Sequence, residues 1–276
     1  MKLYDQKHIR NFYDQYGDSE SRRWEKSIVE KVKYCVHLHY LQRYIKPSSL
    51  VLELGAGTGM FTKEVIGCTN RLVVTDLSPV QLKLNQERAH REGYFQQIQD
   101  WKIVDICDLS EFDDNSFDTI ICYGGPLSYV FEHNRKALSE MHRVLKPGGI
   151  GLISVMNLWG TVNQSLITIL NSFHPDDNEK IIATGNLHPS SFNDSDHHCH
   201  MYRSREFIEL LEQSGFEILQ TSASNCLSTQ RATELMELEN DQQKWNYFLD
   251  LEIRACRSEG MIESGSHLIA IVSAAE

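Results

Sequence analysis

Glu53-Leu54-Gly55-Ala56-Gly57-Thr58-Gly59 joins a short apolar run to a helical stretch. Gly55 and Gly57, with Ala56 between them, let the backbone turn tightly and let a ligand lie against it. The Glu53 carboxylate, two residues earlier, is placed to face a cationic amino group. Asp76 ends the next apolar run, 19 residues after Gly57. That is the spacing of an acid that binds ribose hydroxyls. A carboxylate can accept both hydrogen bonds of a vicinal diol.

These two features alone also fit a dinucleotide site. A pyrophosphate-binding turn reads G-x-G-x-x-G. This turn reads G-x-G-x-G and has Met60 where the third glycine would stand. The spacing favours a ligand with an adenosine and no pyrophosphate. S-adenosylmethionine meets that description, and a nicotinamide dinucleotide is the alternative.

A second group is His188, His197, His198, Cys199 and His200. Neighbouring residues of an extended chain point to opposite sides, so His198 and His200 could share a face. No Glu or Cys partner stands at a familiar ligand spacing, so no metal is expected. These histidines read as solvated loop residues or as contacts to a substrate. A neutral imidazole suits a proton acceptor near neutral pH, and His200, beside Tyr202 and Arg203, is the candidate because it sits closest to the cap of the following helix.

Strand-length apolar runs position these residues. They fall at 50–55, 71–76, near 102–106, 119–124, 149–156, 216–224 and 267–274. Helical patterns lie between them at 59–67, 79–92, 134–145 and 205–214. Runs without alternation are buried on both faces, which means a parallel sheet covered by helices. Ser78-Pro79 starts one helix and Gly93 ends it. The turn Lys146–Gly149 stops another. The expected fold is α/β and Rossmann-like. Its seven-stranded sheet is mostly parallel with the last strand antiparallel, carries helices on both faces and has a helical cap or lid. The expected organisation is a single domain over 1–276. It comprises a helical cap (1–46), a ligand-binding core (47–156), an inserted lid (157–203) and the rest of the sheet (204–276). The last part holds a helical insertion at about 229–258, where Trp245, Phe248 and Leu249 read as core packing.

Composition narrows the function class. Of 276 residues, 41% are hydrophobic and 24% charged, as in globular proteins. The formal net charge is -11, and Arg22-Arg23 with Lys26 is the tightest basic cluster. A phosphate backbone calls for clustered Lys and Arg, so a nucleic-acid partner is disfavoured. The seven cysteines include no C-x-x-C pair, which disfavours a disulfide framework or structural zinc. No apolar run is long enough to span a membrane, and the N-terminus lacks an apolar signal core. A cytoplasmic monomer or homodimer is expected.

VLELGAGTG, VVTDLSP, VDICDLSEFDDNSFDTIICYGG and LSEMHRVLKPGG stand in order along the chain. With them the sequence resembles class I S-adenosylmethionine-dependent methyltransferases of the bacterial small-molecule type, from about Ile9 to Ala274. The resemblance implies that Asp105 accepts the adenine amine, with Ile106 at the ring edge and Leu77 on its face. It implies that Tyr123 and Gly124 wall the methionine moiety, Tyr123 being a second catalytic candidate. FYDQYGDSESRRWEK resembles a segment that folds over the cofactor, making Tyr13, Tyr16 and Trp24 candidates for contact. One departure stands out. Related sequences often follow Gly-Pro-Leu with an aromatic-His pair; here Gly125-Pro126-Leu127 leads to Ser128-Tyr129, so that histidine has no counterpart. The implied activity is methyl transfer to O, N, S or C of a small-molecule acceptor. RNA or protein methylation, and a non-catalytic module that binds the cofactor, are the competing readings.

Overall fold

The computed structural model describes residues 3–24, 26–188 and 197–275. The part of the expected lid at 189–196 lies outside the described residues. Three helices lead the chain: α1 (Gln6–Tyr16), α2 (Ser19–Arg23) and α3 (Ile28–Tyr44). Asp5 caps α1 by accepting the His8 amide, and Ser27 caps α3 by accepting the Glu30 amide. The helical cap expected over 1–46 breaks at Gly17, whose φ of 53° no helix accommodates. The alternating core follows: β1 (Val51–Leu54), α4 (Thr62–Cys68), β2 (Leu72–Asp76), α5 (Pro79–Glu92), β3 (Ile98–Ile103), β4 (Phe117–Cys122), α6 (Asn134–Val144) and β5 (Leu145–Met156). Then come α7 (Leu158–Ser172) and α8 (Pro175–Thr184), with β6 (Asn186–Leu187) and β7 (Cys199–His200) paired antiparallel. The chain finishes with α9 (Ser204–Gln213), β8 (Phe216–Ala223), α10 (Ala232–Leu238), α11 (Gln242–Cys256) and β9 (His267–Ala274).

The main sheet has the order β3-β2-β1-β4-β5-β9-β8. β1 to β5 pair in parallel, and β9 runs antiparallel to both β5 and β8. Parallel neighbours need crossovers, and the helices supply them. Both faces of the sheet are therefore buried. Val51 packs into the cluster with Val36, Tyr40 and Leu82, while Leu52 and Leu54 pack with Leu138, Met141 and Phe207. β1 lies between β2 and β4, so the chain leaves it in opposite directions along the sheet. The connections after β1 and β4 diverge and open a crevice at their carboxyl ends, which is where ligands bind in such sheets.

Two expectations are corrected in position. β3 spans 98–103 rather than 102–106, because it is an edge strand with Gln99, Asp100 and Ile103 exposed. An apolar-run criterion slides past such a strand. The helical stretch expected over 229–258 is two helices, with Asp241 capping the second through the Lys244 amide.

All seven cysteines are free, and Cys226 and Cys256 approach to 3.6 Å between sulfurs. The buried Glu252 beside them accepts the amides of Cys226 and Leu227, each at 2.8 Å. Its carboxylate thereby ties α11 to the loop after β8.

Candidate functional site

The crevice is built by the β1 loop. Gly55 has φ 66°, and a Cβ on it would lie 2.4 Å from Pro126 Cγ in the loop after β4. Only glycine allows that close approach. Gly59, at φ 85°, leaves room for Asn85 Oδ1, which would stand 2.1 Å from a Cβ there. The Gly57 amide donates to Asp76 Oδ2 at 2.7 Å, and the Ser78 amide donates to Asp76 Oδ1 at 2.8 Å. Asp76 thus holds the β1 and β2 loops together. Burial pushes its carboxyl up to about 6, against the two amides that pull it down.

Glu53 lies on the face of β1 opposite Leu52 and Leu54 and is 3% exposed. Its Oε2 accepts the Thr62 hydroxyl at 2.7 Å, and Asn85 Nδ2 donates to that hydroxyl at 2.9 Å. No cation pairs with Glu53 among the described residues. Burial pushes its carboxyl up to about 8. Such a carboxylate is costly for the fold unless a ligand supplies the missing positive charge. Asp105 follows β3, accepting the Tyr4 hydroxyl at 2.6 Å and the Cys107 amide at 2.8 Å. Tyr123 follows β4 and is buried, and among the described residues its hydroxyl has no partner. The Gly124 amide donates to Ser154 Oγ at 3.0 Å.

The N-terminal helices close the crevice from above. Arg23 Nη2 meets Glu20 Oε1 at 2.8 Å. The Glu20 side chain reaches Gly57, its Cγ 3.6 Å from where a Cβ would be, and Arg23 Nη2 stands 3.4 Å from the same position on Gly124. The ion pair thus bridges the β1 and β4 loops. The Arg23 guanidinium also lies over the Trp24 ring at 5.0 Å.

A cavity results, partly open to solvent. Of the residues expected from the sequence to contact a cofactor, all but Tyr16 line it: Tyr13 and Trp24 from the cap; Glu53, Gly55, Ala56 and Gly57 from β1 and its loop; Asp76 and Leu77; Asp105 and Ile106; Tyr123 and Gly124. Tyr16 does not line it; that residue is exposed and stacks on Phe12.

His200, expected as a proton acceptor, lies away from the cavity lining. Its Nδ1 meets Asn186 Oδ1 and its Nε2 meets Glu206 Oε1, each at 2.7 Å. With both ring nitrogens engaged, it fastens β6 and β7 to α9 instead. His197 comes nearer the site: its Nε2 is 3.2 Å from the Tyr129 hydroxyl, and burial lowers its pKa to about 4.

Sequence reasoning missed Glu20, Arg23, Phe61 and Tyr129 as lining residues. Arg22-Arg23 reads as a surface cluster, yet the two arginines diverge. Arg22 is exposed and pairs with Asp18, while Arg23 turns inward. The usable signal was Glu20 one helical turn before Arg23, with Trp24 directly after it.

Residues 51–149 match the family model described as a methyltransferase domain. Over 108 residues the chain is 34% identical to a ubiquinone/menaquinone biosynthesis C-methyltransferase of Hydrogenovibrio crunogenus, covering 38% of this chain and 41% of that protein. It is 27% identical over 151 residues to an uncharacterized protein of Methanocaldococcus jannaschii, covering 55% and 53%. The chain thus spans about half or less of the length of the curated relatives it matches. Among solved structures, a putative methyltransferase in complex with the Haloferax volcanii Trm112 methyltransferase activator aligns with TM-score 0.60 and 18% identity, over 97% of this chain and 98% of that one. A SAM-dependent methyltransferase of Methanosarcina mazei aligns with TM-score 0.57 and 18% identity, over 86% and 97%. At that identity the two structures speak for the fold.

Proposed function

We propose, from the premise that this chain carries the domain of class I S-adenosylmethionine-dependent methyltransferases, that it methylates a small-molecule acceptor held beneath the N-terminal cap. The cavity residues fit the cofactor on their own chemistry. Glu53 is a buried carboxylate without a cation, suited to the ammonium of the methionine moiety. Asp76, fixed by two amides, is suited to the ribose hydroxyls. Asp105, Ile106 and Leu77 are suited to adenine, and Arg23 to the carboxylate of the methionine moiety. When bound, S-adenosylmethionine supplies a methyl group on a sulfonium, which is already activated for attack. The protein therefore has to align the acceptor and exclude water. Tyr123 and Gly124 wall the cofactor side, while Tyr13, Trp24 and Tyr129 close the space above.

The observation that carries the small-molecule reading is that the cap residues and the glycine loop line one and the same cavity. An acceptor has to fit under α1 and α2. The formal net charge of -11 works against a nucleic-acid acceptor. Among the described residues, no helix is long and apolar enough to cross a membrane. We place the reaction in the cytoplasm on that reading. The test is transfer of tritium from methyl-labelled cofactor into separated small-molecule, RNA and protein fractions of a cell extract. Label in the small-molecule fraction is expected. Label confined to RNA or protein overturns the reading.

A further inference from the structure

The charge inside the cavity is unbalanced. Glu20, Glu53, Asp76 and Asp105 line it, and Arg23 is the only Lys or Arg among the described lining residues. Even with Glu53 protonated, three carboxylates against one guanidinium leave a surplus of negative charge in a covered space. The proposed cofactor offsets this only in part, since it brings a sulfonium and an ammonium against one carboxylate. Arg23 does not change the balance when it serves that carboxylate. A guanidinium has five N–H donors and can hold Glu20 at the same time.

Glu20 is the lining carboxylate that the cofactor reading leaves without a task. Its side chain is 13% exposed and reaches from α2 to Gly57. Tyr13, Trp24, Tyr123 and Tyr129 line the same space. Aromatic faces attract cations.

We infer that the acceptor taken by this cavity is a protonated amine, held by the Glu20 carboxylate within the aromatic wall of the cap. The inference rests on the methyltransferase reading and narrows it from O, N, S or C to nitrogen. An ammonium has no free lone pair. It must pass one proton to a carboxylate before its nitrogen can attack, and Glu20 receives it, becoming a neutral carboxylic acid as the ammonium becomes an amine. Burial raises the pKa of Glu20, which suits it to hold that proton. An anionic acceptor such as a phenolate or carboxylate meets like charge here.

Calorimetric titration of the full chain tests this, with S-adenosylhomocysteine first titrated alone and then kept saturating. The probes are benzylamine, benzyl alcohol and benzoate, alike in size and different in charge. Benzylamine is expected to bind at least about tenfold tighter than the alcohol, and benzoate weakest. In Glu20→Gln, each probe measured at saturating S-adenosylhomocysteine, the gap between amine and alcohol is expected to shrink to within about threefold. Benzoate or the alcohol binding as tightly as the amine overturns the inference. So does absence of benzylamine binding, or a gap unchanged in Glu20→Gln. The wild-type order stands as a test even if the variant does not fold. Failure of S-adenosylhomocysteine itself to bind overturns the methyltransferase reading beneath it.

Discussion

Glu53 shows how a single residue can be unfavourable for the fold and useful for the ligand. Its carboxyl sits at about 8 in the ligand-free protein, against about 4.5 in an unfolded chain, because burial disfavours the charged form. An acid raised in this way stabilises the fold at pH below 4.5, and the contribution is lost as pH rises toward 8. A bound ammonium reverses the shift by favouring the carboxylate. Cofactor binding at pH 7 should therefore release a proton from Glu53, and affinity should rise between about pH 6 and 8, by up to about tenfold per unit. Calorimetry of S-adenosylhomocysteine in buffers of different ionisation enthalpy reads the proton directly. Proton uptake, or a proton count unchanged in Glu53→Gln, would contradict the assignment. The residue types at this site were legible because each stands at a fixed offset from a glycine turn or a strand end. Arg23 and Glu20 were not, because their inward turn depends on how α2 lies over Gly57 and Gly124.

Among the elements, the glycine loop and the parallel strands carry their own signals, while the cap and lid depend on tertiary contacts. Gly160 in α7 is an example. Helix propensity alone favours alanine over glycine by about 1 kcal/mol. A Cβ at Gly160 would lie 1.7 Å from the Gly265 carbonyl oxygen, which belongs to the backbone leading into β9. Gly160→Ala should therefore destabilise the protein by about 2–3 kcal/mol, the order of other tight-packing losses. Urea unfolding gives the sign, and a stabilised variant would show that α7 does not press on that backbone. The same dependence explains why the partners of His200 were not legible in the sequence. Its place beside Tyr202 and Arg203 says nothing of Asn186 and Glu206, which engage both its nitrogens. β3 was displaced for a related reason, since an edge strand tolerates polar residues that a buried strand does not.

For the molecule as a whole, the seven strands and the antiparallel β9 follow the expected plan, and the observed order puts β1 at the reversal point. The acidic total and the single guanidinium among the described lining residues concern the same question at two scales, since both bear on which acceptors can approach. The acceptor was not legible in the sequence because residues from α1, α2 and the β4 loop meet only after folding. The residues of the crevice at the glycine turn were legible because strands, turns and spacing define them locally. The central claim is that this site binds the adenosine and methionine moieties of S-adenosylmethionine through Asp76 and its neighbours. Calorimetric titration of S-adenosylhomocysteine, against the wild type and Asp76→Asn, tests it most directly. The predicted result is saturable one-site binding to the wild type, weakened roughly tenfold to a hundredfold in the variant by loss of a charge-assisted hydrogen bond. Binding of NAD with none of S-adenosylhomocysteine, or equal affinity in the two proteins, would contradict it.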